Sequence, residues 1–324
     1  MRRTFIARSA DDIARVRPFW TRLASRCPAT IFQSFDWNLC AARAFGDREW
    51  PHVICTESDS GMVLIPTAVD PAHSQLSLIG ESMFDYRDIL LTGDDSLLTA
   101  AWSRAAALGL RFSAGAIRAD SQVKRWEGFD VSRFYAAPRV SPRETSANKF
   151  AADHNRLGSW LRRLQRKGVE LRCHHGDKSG LIRQIYTQKG TQPSENGANL
   201  FSDPKRVEFM VDVAAQMNTA CEVFTLETAG ALVAALVTLR DQNIRRFYTI
   251  YFDQGWAKQS PGMVLVYEVT RRSLEAGLEC DYMTGEHAYK MRLATSVVPM
   301  YWATASANTL ATLATEPTIS HPAA

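Results

Sequence analysis

Lysine is scarce in this chain. Of 38 basic residues only 8 are lysine, at positions 124, 149, 167, 178, 189, 205, 258 and 290, and the rest are arginine. A bias that runs through the whole sequence weakens any single arginine cluster as a sign of function. The net charge of +4 is also too small to mark a nucleic-acid binder by itself. Cysteine is sparse and scattered, at 27, 40, 55, 173, 221 and 280, with no CxxC pair and no His/Cys metal spacing. That pattern argues for reduced, buried thiols and against a disulfide framework or a structural metal. No apolar run approaches the ~20 residues of a membrane helix. The opening MRRTFIARSADDIARVRPFW has charge but no apolar core of signal-peptide length. The expectation is a soluble, cytoplasmic protein without a metal.

What is present is enough to fold. Hydrophobic residues make up 46% of 324 positions, sufficient for one large domain or two ordinary ones. Helical spacing of apolar residues predicts a helix over 11–27 and a second over 31–46, with Ser34 as N-cap and Gly46 at its end. Asp59-Ser60-Gly61 sits between two alternating runs, 52–56 and 62–69, and predicts a hairpin. Short strands at 75–80, 110–113 and 129–135 and a helix over 94–108 complete a first half. Residues 136–149 are rich in Pro, Ser and charge and read as a linker or a polar crossover.

The second half opens with a helix over 154–168. Leu157, Trp160, Leu161 and Leu164 form its apolar stripe, and Arg156, Arg162, Arg163, Arg166 and Lys167 cover the other face. A strand at 169–173, a helix at 181–189 and a polar loop at 191–200 follow. Asp203-Pro204 starts another helix. Strands at 222–227, 232–240 and 244–252 form a meander. A last strand is expected at 297–303, and a disordered tail over 305–324. Both halves share one element order, which suggests two diverged copies of one α/β unit. The domains read as 1–140 and 150–304.

One stretch concentrates the chemistry. Residues 244–292 read strand, loop, helix, strand and polar loop. The loop ends in Ser260-Pro261-Gly262, so the following helix presents free N–H groups and its positive dipole end to an anion such as a diphosphate. After the second strand come Asp281, Glu286, His287, Tyr289 and Lys290. Carboxylate and imidazole can act as a base near neutral pH, and a phenol can return a proton. Each also has an ordinary reading: Asp281 as a strand-end cap, His287 as a surface residue, Lys290 as a snorkelling lysine.

The turn Lys258 to Met263 resembles the acyl-CoA turn of the GNAT superfamily, with one of the usual two glycines replaced. Phe32-Gln33-Ser34 with Trp37, Asp85-Tyr86, the arginine-rich helix, Gly285-Glu286 and Tyr289-Lys290 together resemble the CelD/BioF-like tandem-GNAT acyltransferases, relatives of the Fem-type aminoacyl transferases. The resemblance spans roughly 30–303. It implies two mainly antiparallel, helix-flanked sheets in tandem GNAT domains, the first degenerate. It implies an acyl-CoA donor on Lys258, Ser260, Gly262 and Met263, with an oxyanion donor from the backbone near Ile250 to Phe252. Glu286, Asp281 and Tyr289 are then the candidate catalytic groups, and Asp85, Tyr86 and Lys290 the candidate acceptor contacts. The acceptor it implies is an amine or hydroxyl, with a role in exopolysaccharide synthesis and no nucleic-acid partner. An aminoacyl-tRNA donor is the alternative, although the long helical arm of many Fem-type enzymes is missing. A non-catalytic scaffold is the other.

Overall fold

The computed structural model describes residues 2–80, 83–125, 128–193 and 199–313. Its contacts divide the chain into two units: residues up to Tyr135 together with those from Pro299 onward, and Ala136–Val298.

The first unit runs β1 (Arg3–Ala7), α1 (Ala10–Arg15), α2 (Arg17–Ala24), α3 (Phe35–Phe45), β2 (Trp50–Ser58), β3 (Gly61–Asp70), β4 (Gln75–Leu78), β5 (Leu90–Thr92), α4 (Asp95–Ala106), β6 (Arg111–Arg118) and β7 (Asp130–Arg133). The second runs β8 (Ala137–Val140), α5 (Ala147–Asp153), α6 (Asn155–Arg166), β9 (Glu170–His174), α7 (Ser179–Gly190), α8 (Pro204–Gln216), β10 (Cys221–Thr228), β11 (Ala231–Asp241) and β12 (Ile244–Phe252). It continues with α9 (Pro261–Glu275), β13 (Glu279–Asp281), α10 (Ala288–Leu293) and β14 (Ser296–Val298). The chain then returns to the first unit as β15 (Met300–Ala305) and α11 (Ala307–Leu313).

The first sheet has the order β1-β2-β3-β4-β6-β15-β7, with β5 also on β3. The second has the order β14-β8-β13-β12-β11-β10-β9. All pairings are antiparallel except two, β4 with β6 and β12 with β13. Each parallel pair flanks a helix, α4 or α9, because a parallel return needs a crossover. Trp102 of α4 packs edge-on against Phe112 of β6 at 5.2 Å in the first core. In the second core Tyr267 of α9 stacks on Phe150 of α5 at 5.8 Å.

Several expectations are corrected. The helix over 11–27 is two, α1 and α2, because Pro18 near the start of α2 cannot donate into a continuous ladder. β1 was not foreseen. The supposed linker 136–149 holds β8, which lies inside the second sheet between β14 and β13, and Ser146, which N-caps α5. The expected last strand is divided at Pro299: β14 stays with the second sheet, while β15 inserts between β6 and β7 of the first. Its residues 300–304 therefore belong with the first unit. Of the expected tail, Ala307–Leu313 is helical and Leu310 is fully buried in the first core. Positions 314–324 lie outside the described residues, as do 194–198 of the polar loop.

Leu310→Ala should therefore cost the first unit about 2–3 kcal/mol, as for other buried leucines. Urea unfolding measures this, and an unchanged midpoint would show that α11 is not part of that core.

Candidate functional site

β12 and β13 are paired for three residues only, ending at Arg246 with Asp281. This last pair is locked by charge. Arg246 Nη1 donates to Asp281 Oδ2 at 2.6 Å, and its Nε and Nη2 donate to Asp241. Arg139 of β8 approaches Asp281 from the other side at 3.5 Å. The second oxygen of Asp281 accepts the Met283 N–H at 2.8 Å. Asp281 is completely buried and Arg246 nearly so. The carboxylate is thus a pin at the point where the strands part, and both its oxygens are engaged.

Beyond Arg246, β12 continues without β13 beside it. The Asp253 N–H bonds across to Val233 O of β11, so by alternation the Ile250 and Phe252 carbonyls face the opposite, open edge. The β11–β12 register also slips between Val237 and Thr238, leaving Tyr248 as the extra residue of a bulge. Two side chains reach the open edge from α7 and the residues just after it. Lys189 Nζ donates to Ile250 O at 2.8 Å, and Gln192 Nε2 to Phe252 O at 2.7 Å. Beside them Tyr186 Oη donates to Thr249 Oγ1 at 3.0 Å. Burial holds the Lys189 amine below the ordinary lysine range.

The start of α9 closes the end of this edge. Ser260 has φ 47°, in the left-handed region, and its side chain makes no cap hydrogen bond. Pro261 sits at the first helical position, where a missing N–H costs nothing, and no acidic residue lies in the first turn. The Gly262 and Met263 N–H groups are ones the helix itself leaves without partners. Gly262 lies against β12: a Cβ there would come within 3.1 Å of Ile250 Cδ1 and 3.3 Å of Phe252 Cδ1. The missing side chain lets the helix end approach the strand edge.

Next to this turn is a pocket of about 210 Å³, lined by Trp160, Arg163 and Leu164 of α6 and Lys167 just after it, with Lys258 and Gln259. Three lining groups are cations and none is an acid. Lys167 Nζ lies 5.9 Å from the Trp256 ring centroid. With the Gln259 amide oriented to satisfy both its ends, Lys167 also donates to its oxygen at 3.2 Å. α6 can run this close to α9 because Gly158 faces Tyr267, whose Oη would lie 3.1 Å from a Cβ at that position.

The polar loop after β13 is a tight structure. Met283 has φ 62° and Gly285 φ 113°, two left-handed positions in three residues. Lys290 is nearly buried, and its Nζ donates to Thr284 O at 2.8 Å and Met283 O at 3.4 Å. It holds this loop from within. The Gly285 N–H donates to Ala136 O at 3.0 Å, and Glu286 Oε1 accepts the Ala136 N–H at 3.3 Å. Glu286 and His287 are exposed. The Tyr289 ring stacks near His287 at 6.0 Å, and burial pushes its phenol up to about 12, so it carries its proton at neutral pH.

Asp85 and Tyr86 belong to the first unit. Tyr86 is buried, stacked on Phe32 at 6.2 Å, and its carbonyl accepts from Gln33 Nε2 at 2.5 Å. Trp37 and Phe32 are core residues, as expected. The residues that sequence reasoning passed over are Lys189, Gln192, Tyr186 and Thr249. One signal was available: Ile182, Ile185 and Tyr186 form the buried stripe of α7, and Lys189 occupies its next position.

Comparison with known proteins fits this architecture. The sequence profile of an acetyltransferase (GNAT) domain matches residues 153–291. No curated relative matches the sequence. Among solved structures, the chain resembles the C-terminal domain of a putative lysylphosphatidylglycerol synthetase from Agrobacterium fabrum, with TM-score 0.59 and 14% identity over 93% of this chain and 95% of that one. It resembles FemX with TM-score 0.57 and 8% identity, over 88% and 95%. A tandem GNAT protein from the clavulanic acid biosynthesis pathway aligns at TM-score 0.50 and 10% identity, over 95% and 99%. The fold is that of two GNAT domains in tandem, and the residues that match the acetyltransferase (GNAT) profile lie in the second unit.

Asp281→Ala should destabilise the second unit by about 3 kcal/mol, since it leaves buried guanidinium groups short of a partner. Chemical denaturation measures this. A loss below about 1 kcal/mol would place the pair with ordinary surface ion pairs.

Proposed function

We propose that the second unit is an N- or O-acyltransferase whose donor is an acyl-CoA, held at the β12–α9 turn. The observation that carries this is the uncapped, acid-free start of α9, set against the open edge of β12 and flanked by the cationic pocket. Diphosphate suits the Gly262 and Met263 N–H groups and the helix dipole. A further phosphate and a flat base suit Lys167, Lys258, Arg163 and Trp160. The thioester would then lie along β12, where an edge N–H such as that of Ile250 can take the developing oxyanion.

In this reading Glu286 is the acid-base candidate, because it is exposed to an acceptor, and Tyr289 is a proton donor to the departing thiolate. Asp281 and Lys290 serve by holding the strand end and the loop that carry Glu286. Asp85 and Tyr86, the acceptor contacts that the resemblance implies, belong to the first unit, where Tyr86 is buried. The acceptor is an amine or hydroxyl compound. The likeness to CelD/BioF-like proteins makes a cytoplasmic role in exopolysaccharide or envelope synthesis the pathway we favour.

Isothermal calorimetry with CoA tests the donor. Binding in the micromolar range is expected, and Lys167→Ala with Lys258→Ala should weaken it about tenfold, some 1.4 kcal/mol. No binding at millimolar CoA would remove the basis of the proposal.

A second donor, aminoacyl-tRNA, is favoured by the likeness to FemX and by the exposed arginines of α6. Tight tRNA binding with a steep salt dependence, and no CoA binding, would select it.

A further inference from the structure

We infer that Lys189 is itself an acyl acceptor: its side-chain amine takes an acyl group from a thioester bound along the open edge of β12. This rests on the acyl-thioester reading above and adds a covalent site to it.

The placement is unusual for a lysine. It follows Ile182, Ile185 and Tyr186 on the buried stripe of α7, where an apolar residue would ordinarily stand. The side chain is half-buried, and its hydrogen bond among the described residues is to a neutral carbonyl, Ile250 O. No carboxylate among the described residues pairs with it. Most buried ammonium groups are paired with an acid, because an isolated charge is costly to desolvate. A carbonyl partner removes the need for the charge. A neutral amine still donates one N–H to Ile250 O and keeps its lone pair for attack. Burial shifts Lys189 in that direction, enlarging the neutral fraction relative to an exposed lysine.

The location supplies proximity. Ile250 belongs to the segment of β12 that has parted from β13, and its side chain touches the position of Gly262 at the carrier turn. A thioester whose diphosphate lies on that turn would run along this edge, past the Ile250 carbonyl. The neighbouring carbonyl, Phe252 O, is taken by Gln192, so the amine is held at one point of the edge. In the step, the Lys189 nitrogen attacks the thioester carbonyl carbon and the C–S bond breaks. The amine proton leaves with the thiolate as the free thiol of CoA, and an amide remains on the lysine. No other reactant is needed.

The experiment is incubation of the folded, full-length protein with acetyl-CoA, followed by peptide mass spectrometry, with CoA calorimetry alongside. Acetylation of Lys189 is expected at least tenfold faster than that of the exposed Lys167 and Lys258. Excess CoA should suppress it, prior unfolding in urea should abolish the preference, and Lys189→Arg should lower the intact mass gain by one acetyl group. CoA binding with Lys189 unmodified, or modified no faster than Lys167 and Lys258, would overturn this inference and leave the donor reading standing. Absence of CoA binding would overturn both.

Discussion

The second unit depends on the ion pair between Arg246 and Asp281. It lies at the last rung of the parallel pairing between β12 and β13, and past it the strands part. Two charges buried together need close geometry and further hydrogen bonds to offset their desolvation. Both conditions hold: Arg246 is shared with Asp241, and Asp281 with Arg139 and the Met283 N–H. The same carboxylate therefore fixes where the strand edge opens and how the chain turns out of β13 into the loop of Glu286. Arg245 repeats the device one residue earlier, with two bonds to Glu222 and one to Ser273 of α9. The root of β12 is held by cations from within, and its distal half is left open.

That division explains how the candidate groups sort. Asp281 and Lys290 are buried because they shape the loop. Two left-handed residues in three positions need a backbone anchor, and the Lys290 ammonium on the Thr284 and Met283 carbonyls is one. Glu286, two residues from the same anchor, is what the loop presents outward. A motif of glycine, glutamate, tyrosine and lysine is thus one scaffold with few groups left to do chemistry.

Much of the fold was legible because local signals agreed with it. Ser34 caps α3, Asp203-Pro204 starts α8, and Asp59-Ser60-Gly61 turns the β2–β3 hairpin. The turn into α9 was legible from Ser260-Pro261-Gly262 as well. What was not legible is long-range exchange. β8 looks like a linker because its partners, β13 and β14, lie more than a hundred residues away, and alternation over four residues is too short to show a strand. β15 reads as a continuation of β14, yet Pro299 breaks the run and the strand pairs with β6. Lys189 was passed over because a lysine near the end of a helix is usually a favourable charge at the dipole's negative end. Only the carbonyl it meets shows otherwise.

The two units share one strand order, and they differ in how each fills its opening, which is why the proposed carrier site is assigned to the second. In the first, β4 and β6 pair in parallel at only two residues, then part, as β12 and β13 do. There the chain itself fills the gap. The Arg87 N–H donates to Ala116 O at 2.9 Å, Arg87 pairs with Ile117, and its guanidinium reaches Ser77 Oγ at 3.2 Å. The helix end is filled too: Asp94 accepts the Ser96 N–H at the start of α4, and Asp95 follows in the first turn. A carboxylate already stands where an anion would bind, and a second one would repel it. At α9 the side-chain cap is absent, the first turn has no acid, and among the described residues the ends of Lys189 and Gln192 meet the strand edge. A helix N-terminus becomes an anion site when nothing in the chain has satisfied it first, and in this protein that condition separates α9 from α4.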